Sequence, residues 1–160
     1  NFQSASLAYV NFDYAIMWGV DMTDAHVSPT SLWQASLNYA LLTDAVFANS
    51  RLKFANLSGA NLDGTNFQDA DLSSSLLEDA YVEDADFRGA DLTGAFYLGA
   101  TTGSAFYDSE TRFEGTGFDP AAAGWRLVPE PGAGSLGLAA LLTLHFLAGG
   151  RQARGRGVRS

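Results

Sequence analysis

A five-residue period in side-chain size runs through the first hundred of the 160 residues and constrains the fold more than any other feature. Every fifth residue from Phe2 to Tyr97 is apolar, and we name these twenty residues the central positions. Every fifth residue from Ala5 to Ala100 is small or slim, and fourteen of these twenty are alanine. Side chains return to the same face every ~3.6 residues in a helix and every ~2 residues in a strand. A period of five residues fits neither element. The sequence therefore predicts a chain that bends within every repeat.

The bend is predicted at the residue just before each small position. All six glycines of the first hundred residues occupy this column, together with five aspartates, Asn49 and Pro29. Glycine, aspartate and asparagine tolerate positive φ, and proline favours turns. Each pentapeptide is therefore predicted to form one short extended side and one corner.

The large core residues indicate how many sides complete one coil. Like side chains stack when successive coils lie about 4.8 Å apart, and Phe47, Phe67 and Phe87 recur every twenty residues. A fifteen-residue grouping would scatter these three rings over different columns. Four sides per coil are therefore favoured, which predicts an all-β square solenoid of about five coils.

The chain resembles the pentapeptide-repeat family, whose consensus Ala-(Asp/Asn)-Leu-x-x is visible at 55–57, 60–62, 70–72 and 90–92. The resemblance covers residues 1–100 and implies a right-handed quadrilateral β-helix whose interior is filled by the central and small residues. The predicted solenoid core includes Phe47, Leu57, Leu62, Phe67, Leu72, Phe87 and Leu92.

Six apolar residues stand where the repeat usually places an outward polar side chain. They are Ile16, Leu41, Val46, Leu76, Tyr81 and Phe96. Two interpretations are open: contacts with a partner, or the singly exposed apolar groups that are common on soluble proteins.

The two ends of the array differ in sequence. The period is already in phase at Phe2, with no amphipathic helix before it, so we expect the natural protein to extend upstream of Asn1. Residues 101–127 lose the period and gain five aromatic residues, which predicts a closing cap over the last coil, with a binding role as the alternative. Within this segment, Asp119, Pro120 and Gly124 predict the N-cap, first-turn proline and glycine stop of one helical turn.

An uncharged, apolar stretch over residues 132–150 is followed by Arg151, Arg154, Arg156 and Arg159. Its length suffices for one transmembrane α-helix, with a buried helix or a plain apolar tail as the alternative. The arginine cluster would anchor the cytoplasmic end of that helix. The acidic remainder of the chain would then lie outside the cytoplasm.

Pro129, Glu130 and Pro131 stand directly before the apolar stretch, in an extended segment. The motif, the apolar stretch and the arginine cluster, in this order within residues 128–160, resemble a PEP-CTERM sorting signal. The resemblance implies that these three residues are the substrate of an exosortase in the inner membrane of a Gram-negative bacterium. It also implies delivery of the protein to the cell surface or to an exopolysaccharide matrix.

Residues suited to catalysis do not come together in the pattern. The chain has no cysteine, His26 falls on an outward column, and His145 lies in the apolar stretch. Neither histidine is set beside a nucleophile. We interpret the acidic residues as a solvated face, with weak calcium binding near Asp84 and Asp86 left open. The sequence therefore predicts no enzyme, no cofactor and no dedicated metal site.

Two functions remain. The first is a non-enzymatic exported scaffold that presents a rigid face to matrix polysaccharide or a surface protein, or its variant, a plain tail-anchored scaffold. The second is a DNA mimic that binds a topoisomerase, because residues 1–100 carry thirteen acids against three bases, a net charge of −10. Binding of nucleic acid itself is disfavoured, because the whole chain has a net charge of −9.

Overall fold

The array is wound into a four-sided coil. The computed structural model describes residues 1–97 and 104–129, and Asn1–Val128 form one compact unit. Isolated parallel bridges join residues twenty apart along the described array, from Ser6 with His26 to Asp86 with Phe106. The predicted twenty-residue coil is confirmed. The number of five coils stays a prediction, because residues 98–103 lie outside the described part.

The bridged residues form four faces, which we number 1 to 4 in chain order. The faces begin at Ser6, Asn11, Ile16 and Asp21, and each continues in steps of twenty residues, except that the last step of face 2, from Asp91 to Arg112, is twenty-one. We name each corner by the two faces that it joins. Corner 2/3, for example, lies between faces 2 and 3.

Each corner is a four-residue turn. The amide of the small residue donates to the carbonyl oxygen of the central residue, as from Ala55 to Leu52 at 2.9 Å and from Ala60 to Leu57 at 3.0 Å. The corner of Pro29 differs, because the Thr30 amide donates to Ser50 Oγ at 3.1 Å. The residue before the small one has positive φ at every described corner of the array except Pro29, which is what a type II turn requires at its third position. The corner column predicted from glycine, aspartate and asparagine is therefore confirmed.

Backbone hydrogen bonds join each coil to the next. The amides of Leu57 and Gly59 donate to the carbonyl oxygens of Leu76 (2.8 Å) and Glu78 (2.7 Å). The amide of Leu76 donates back to the carbonyl of Ala55 at 3.0 Å. Polar backbone groups on both sides of a coil are thus paired with its neighbours, which the burial of the interior requires.

The interior is filled by the central and small residues. All seven predicted core residues have zero exposure. Phe47 and Phe67 stack with ring centroids 5.5 Å apart, and Phe67 and Phe87 with centroids 5.2 Å apart and planes 9° from parallel. These distances lie in the range of stacked aromatic pairs. The central residues of the first coil, at the end of the stack, are partly buried against this core: Phe2, Leu7, Phe12 and Met17.

Residues 104–128 pack on the last coil and continue part of its winding. Strand β1 (Phe106–Tyr107) pairs in parallel with strand β2 (Arg126–Leu127), with Phe106 opposite Arg126. Since Asp86 is bridged to Phe106, face 1 keeps its twenty-residue step after the five-residue pattern has ended. Trp125 stacks on Phe87 at 4.9 Å and 8° and so extends the phenylalanine ladder.

The chain makes a single hydrogen-bonded turn before β2. The amide of Ala122 donates to the Asp119 carboxylate at 3.1 Å, and the amide of Ala123 donates to the Asp119 carbonyl at 3.0 Å. Gly124 has a φ of 85°. Asp119 and Gly124 therefore occupy the predicted capping and stop positions, although the segment between them is a turn and not a helix.

No helix in residues 1–97 or 104–129 has the length and apolar character that crossing a membrane requires. The helix predicted over 132–150 lies outside the described residues.

Candidate binding surface

The outward apolar residues lie mainly on two adjacent faces. Ile16, Leu76 and Phe96 belong to face 3, and Leu41 and Tyr81 belong to face 4. These five side chains are exposed, and Ile16 is 86% exposed. The sixth, Val46 on face 1, is partly buried.

Aromatic rings, exposed except for the partly buried Trp33, flank face 3 at both of its corners. At corner 2/3, Tyr14 and Trp33 meet edge to face with ring centroids 4.9 Å apart. At corner 3/4, Trp18 and Tyr39 meet in the same way at 5.7 Å, and their side chains are 68% and 60% exposed. Phe54 adds a further exposed ring to corner 2/3. We name face 3 together with these five aromatic residues the aromatic-edged face.

The Tyr39 ring packs against Gly59 of the next coil. A Cβ at residue 59 would lie 2.6 Å from two carbons of that ring, which is closer than side chains can pack. The ring therefore lies directly against the backbone of the next coil, and Trp18 contacts it from the other side. The residue at position 59 thus determines where an exposed ring of the neighbouring coil lies.

The bridged residues of face 3 that the structure describes are uncharged, whereas charged side chains lie at its corners: Asp13 and Lys53 at corner 2/3, and Glu78 and Asp79 at corner 3/4. The bridged residues are Ile16, Ser36, Asn56, Leu76 and Phe96. Hydroxyl and amide groups stand between the apolar residues: the Ser36 hydroxyl donates to Asn38 Oδ1 at 2.7 Å, and the Ser58 amide donates to Asn56 Oδ1 at 3.0 Å. The face therefore combines apolar surface with uncharged hydrogen-bonding groups.

Many acidic residues lie on the other side of the coil, at corner 4/1. They are Asp24, Asp44, Asp63, Glu83 and Asp84, which follow one another along the stack. We name this set the acidic corner. Corner 4/1 is diagonally opposite corner 2/3, and further acidic residues lie at the corners of face 3: Asp13 at corner 2/3, and Glu78 and Asp79 at corner 3/4.

Asp86 on face 1 forms the shortest ion pair of the described residues. Its Oδ2 lies 2.6 Å from Arg88 Nη2, and Gln68 Nε2 donates to the same oxygen at 2.6 Å. Burial opposes ionisation of this carboxyl, but the hydrogen bonds from Arg88 and Gln68 outweigh burial and hold the pKa of Asp86 below its ordinary value of 3.8. The ionised carboxylate is therefore the form that the fold favours.

Of the predicted sorting residues, only Pro129 is described, and it is exposed directly after the compact unit. Glu130, Pro131 and the cluster of Arg151, Arg154, Arg156 and Arg159 lie outside the described residues. His26 is exposed on face 1. Within residues 1–97 and 104–129, no three histidine or acidic side chains are placed to hold a metal ion.

The aromatic corners were missed by reasoning from the five-residue period. That period assigns Tyr14, Trp18, Trp33 and Tyr39 to corners, but it does not say which corners become neighbours. Arranging the corner residues in rows of twenty would have brought each pair together, because Trp33 and Tyr39 follow Tyr14 and Trp18 by about one coil.

Comparison with known proteins now identifies the array. A family model described as pentapeptide repeats matches residues 30–64 and 65–96, with eight copies. Residues 30–96 belong to the pentapeptide-repeat family. The resemblance predicted for residues 1–100 is therefore confirmed over residues 30–96. Comparison with curated proteins gives no match.

Solved pentapeptide-repeat structures are similar to this chain. The protein Rfr23 from the cyanobacterium Cyanothece 51142 is 32% identical with a TM-score of 0.58, and the match covers 59% of this chain and 64% of that chain. The protein alr5209 from Nostoc PCC 7120 is 30% identical with a TM-score of 0.41, covering 79% of this chain and 84% of that chain. The chain thus spans slightly less than two thirds of Rfr23. The pentapeptide-repeat neighbours are right-handed β-helices, in agreement with the fold predicted here.

Proposed function

We propose that this pentapeptide-repeat protein is an exported, non-enzymatic display scaffold whose carboxyl-terminal segment is a PEP-CTERM sorting signal. In this proposal an exosortase in the inner membrane of a Gram-negative bacterium recognises Pro129, Glu130 and Pro131. It removes the apolar stretch over 132–150 together with the arginine cluster. The processed protein is then delivered to the cell surface or to an exopolysaccharide matrix.

This proposal is supported by the position of Val128, the last residue of the compact unit, directly before the motif. The amide of Val128 donates to the carbonyl of Tyr107 at 2.7 Å, and the compact unit ends at Val128. Pro129, the first residue of the motif, is exposed. Removal of the residues after the motif would therefore leave every described contact of the solenoid in place.

A non-enzymatic role is supported by the construction of the array. Its interior is filled by apolar side chains, and the acidic residues at the corners face water. A rod of this kind offers flat faces at fixed spacing, which suits binding to an extended partner better than enclosing a small substrate.

Intact-mass analysis of the protein from its native host tests the proposal. We expect the mature mass to lack residues 132–160. A Glu130→Ala variant should keep the full mass, whereas Glu114→Ala, which changes an exposed acid of the closing segment, should be processed normally. Persistence of Arg159 in the mature protein would contradict the proposal and favour a plain tail-anchored scaffold.

The acidic corner favours a second candidate function, a DNA mimic that binds a topoisomerase. Each coil from Asp24 to Asp84 contributes at least one of these carboxylates at a step of about 4.8 Å, so they form a row of negative charge. Inhibition of DNA gyrase by the purified protein, together with retention of the mature protein in the cytoplasm, would support this candidate. Secretion of the protein would exclude it, because a secreted protein never meets a cytoplasmic topoisomerase.

A further inference from the structure

The aromatic-edged face is an exposed apolar surface of the kind that marks a binding site. Ile16, Trp18 and Tyr39 are each at least 60% exposed, and they are neighbours on one side of the coil. Exposed apolar residues are common singly, but a contiguous group rimmed by polar residues indicates an interaction. From this surface we infer that the protein binds an uncharged, extended β-linked polysaccharide that lies along the coil axis on the aromatic-edged face.

The chemistry of the face matches that of a neutral sugar chain. The axial C–H bonds of a β-linked pyranose form an apolar patch, which packs against the electron-rich face of an aromatic ring. The equatorial hydroxyls at its rim need donors and acceptors, and the side chains of Ser36 and Asn56 can supply both. Asp13, Glu78 and Asp79 lie at the corners beside face 3, and the array as a whole is acidic, which disfavours a polyanion.

The spacing of the coils matches the repeat of such a chain. One coil advances by about 4.8 Å along the axis, which is close to the length of one pyranose unit in an extended β-linked polymer. Tyr14 and Trp18 lie on the first coil, Trp33 and Tyr39 on the second, and Phe54 on the third. A sugar chain along the axis at corner 3/4 would therefore meet Trp18 and Tyr39 on two successive coils without bending.

The rings are held in place before any ligand arrives. Tyr39 is packed between Trp18 and the Gly59 backbone, and Tyr14 is packed against Trp33. Because little side-chain freedom remains to be lost, binding costs less conformational entropy than it would with free side chains.

The size of the face argues against a second copy of this chain as its occupant. Ile16 to Phe96 spans four coil steps, about 19 Å, and a side of five residues is at most about 17 Å wide. The flat area is then at most about 320 Å², while a stable protein interface buries about 800 Å² on each partner. An extended sugar chain is narrow enough to bind within this area.

This inference rests on the proposed function in one respect, the location of the ligand, since a scaffold displayed outside the cell encounters matrix polysaccharide. The binding itself depends only on described residues of the array. Binding by purified protein and processing in the host are therefore separate measurements, and failure of one leaves the result of the other intact.

Isothermal titration calorimetry of the purified full chain with cellohexaose, xylohexaose and mannohexaose tests the inference. We expect at least one of these uncharged β-1,4-linked chains to bind, and a polygalacturonate oligomer of equal length to bind at least tenfold more weakly. Trp18→Ser and Tyr39→Gly should each weaken binding at least tenfold. Both introduce a residue that the array already holds one coil or two further along, at Ser58 and Gly59, so the fold should tolerate them.

Tyr9→Gly is the matched control, because Tyr9 is an 85% exposed aromatic corner residue with positive φ that lies at corner 1/2, away from face 3. It should leave binding unchanged. The inference is overturned if none of the three neutral oligosaccharides binds, or if Trp18→Ser and Tyr39→Gly bind as well as the unchanged protein. Sedimentation that shows a dimer lost in these two variants, without sugar binding, would assign the face to self-association and also overturn it.

Discussion

Removal of the central ring of the phenylalanine ladder should strongly destabilise the solenoid. Phe67 has no exposed surface and lies between Phe47 and Phe87, with centroid distances of 5.5 and 5.2 Å. Phenylalanine to alanine changes in a packed core cost about 3–5 kcal/mol, and each stacked pair contributes a further 0.5–1.5 kcal/mol or so. Because two pairs are lost at once, we expect Phe67→Ala to lower the free energy of unfolding by about 5 kcal/mol. That is comparable to the whole stability of a marginal domain.

Phe67→Leu is the companion variant, because leucine fills most of the other buried central positions. It keeps an apolar side chain in the stack and should cost only about 1.5 kcal/mol. Both free energies can be measured by urea denaturation followed by circular dichroism, with Tyr9→Gly as a surface control expected within about 0.5 kcal/mol of the unchanged protein. A cost for Phe67→Ala below about 1.5 kcal/mol would refute the filled interior.

Three further changes test the corners, the ion pair and the closing segment. Gly59→Ala should cost about 1–2 kcal/mol, because φ is +67° there and the added Cβ would displace the Tyr39 ring; adding Tyr39→Gly should recover part of this loss in urea denaturation. The pKa of Asp86 is held below 3.8 in the folded state, so its contribution to stability is present above that pH and is lost as the pH falls through the folded value. Asp86→Asn should therefore lower the denaturation midpoint at pH 7 and flatten its decline as the pH falls below about 4, and an unchanged decline would contradict the assignment. Trp125→Ala removes the ring that covers the ladder, so it should cost about 3–5 kcal/mol and expose the last coil to a hydrophobic dye such as ANS.

Much of the array could be predicted because one period governs both burial and turning. The alternation of central residues such as Leu57 and small residues such as Ala55 assigns every inward side chain, and the twenty-residue recurrence of Phe47, Phe67 and Phe87 sets the coil length. Both predictions depend on residue types that recur in every repeat or coil, so many residues support the same conclusion. The glycine and aspartate column likewise predicted the corners, because positive φ selects for those residues.

The closing segment and the candidate surface were less predictable. Once the five-residue period ends, nothing in the sequence singles out Trp125 from four other aromatic residues as the ring that stacks on Phe87. That choice depends on the parallel pairing of β1 with β2, which is a long-range contact. The aromatic-edged face depends on contacts between coils, such as Trp18 with Tyr39, that appear only after the coil length is known.

The twenty-residue coil is the claim on which the core, the faces and the binding surface all depend. Pairs of introduced cysteines test it directly, because the chain has no cysteine of its own. Asn56 and Leu76 are bridge partners twenty residues apart, and the spacing of about 4.8 Å between neighbouring strands lies within the range that a disulfide can join. Under mild oxidation, the Asn56→Cys, Leu76→Cys protein should form an intramolecular disulfide, and the Asn56→Cys, Asp71→Cys protein should keep both thiols free. The opposite result, a disulfide only in the pair fifteen residues apart, would contradict the four-sided coil.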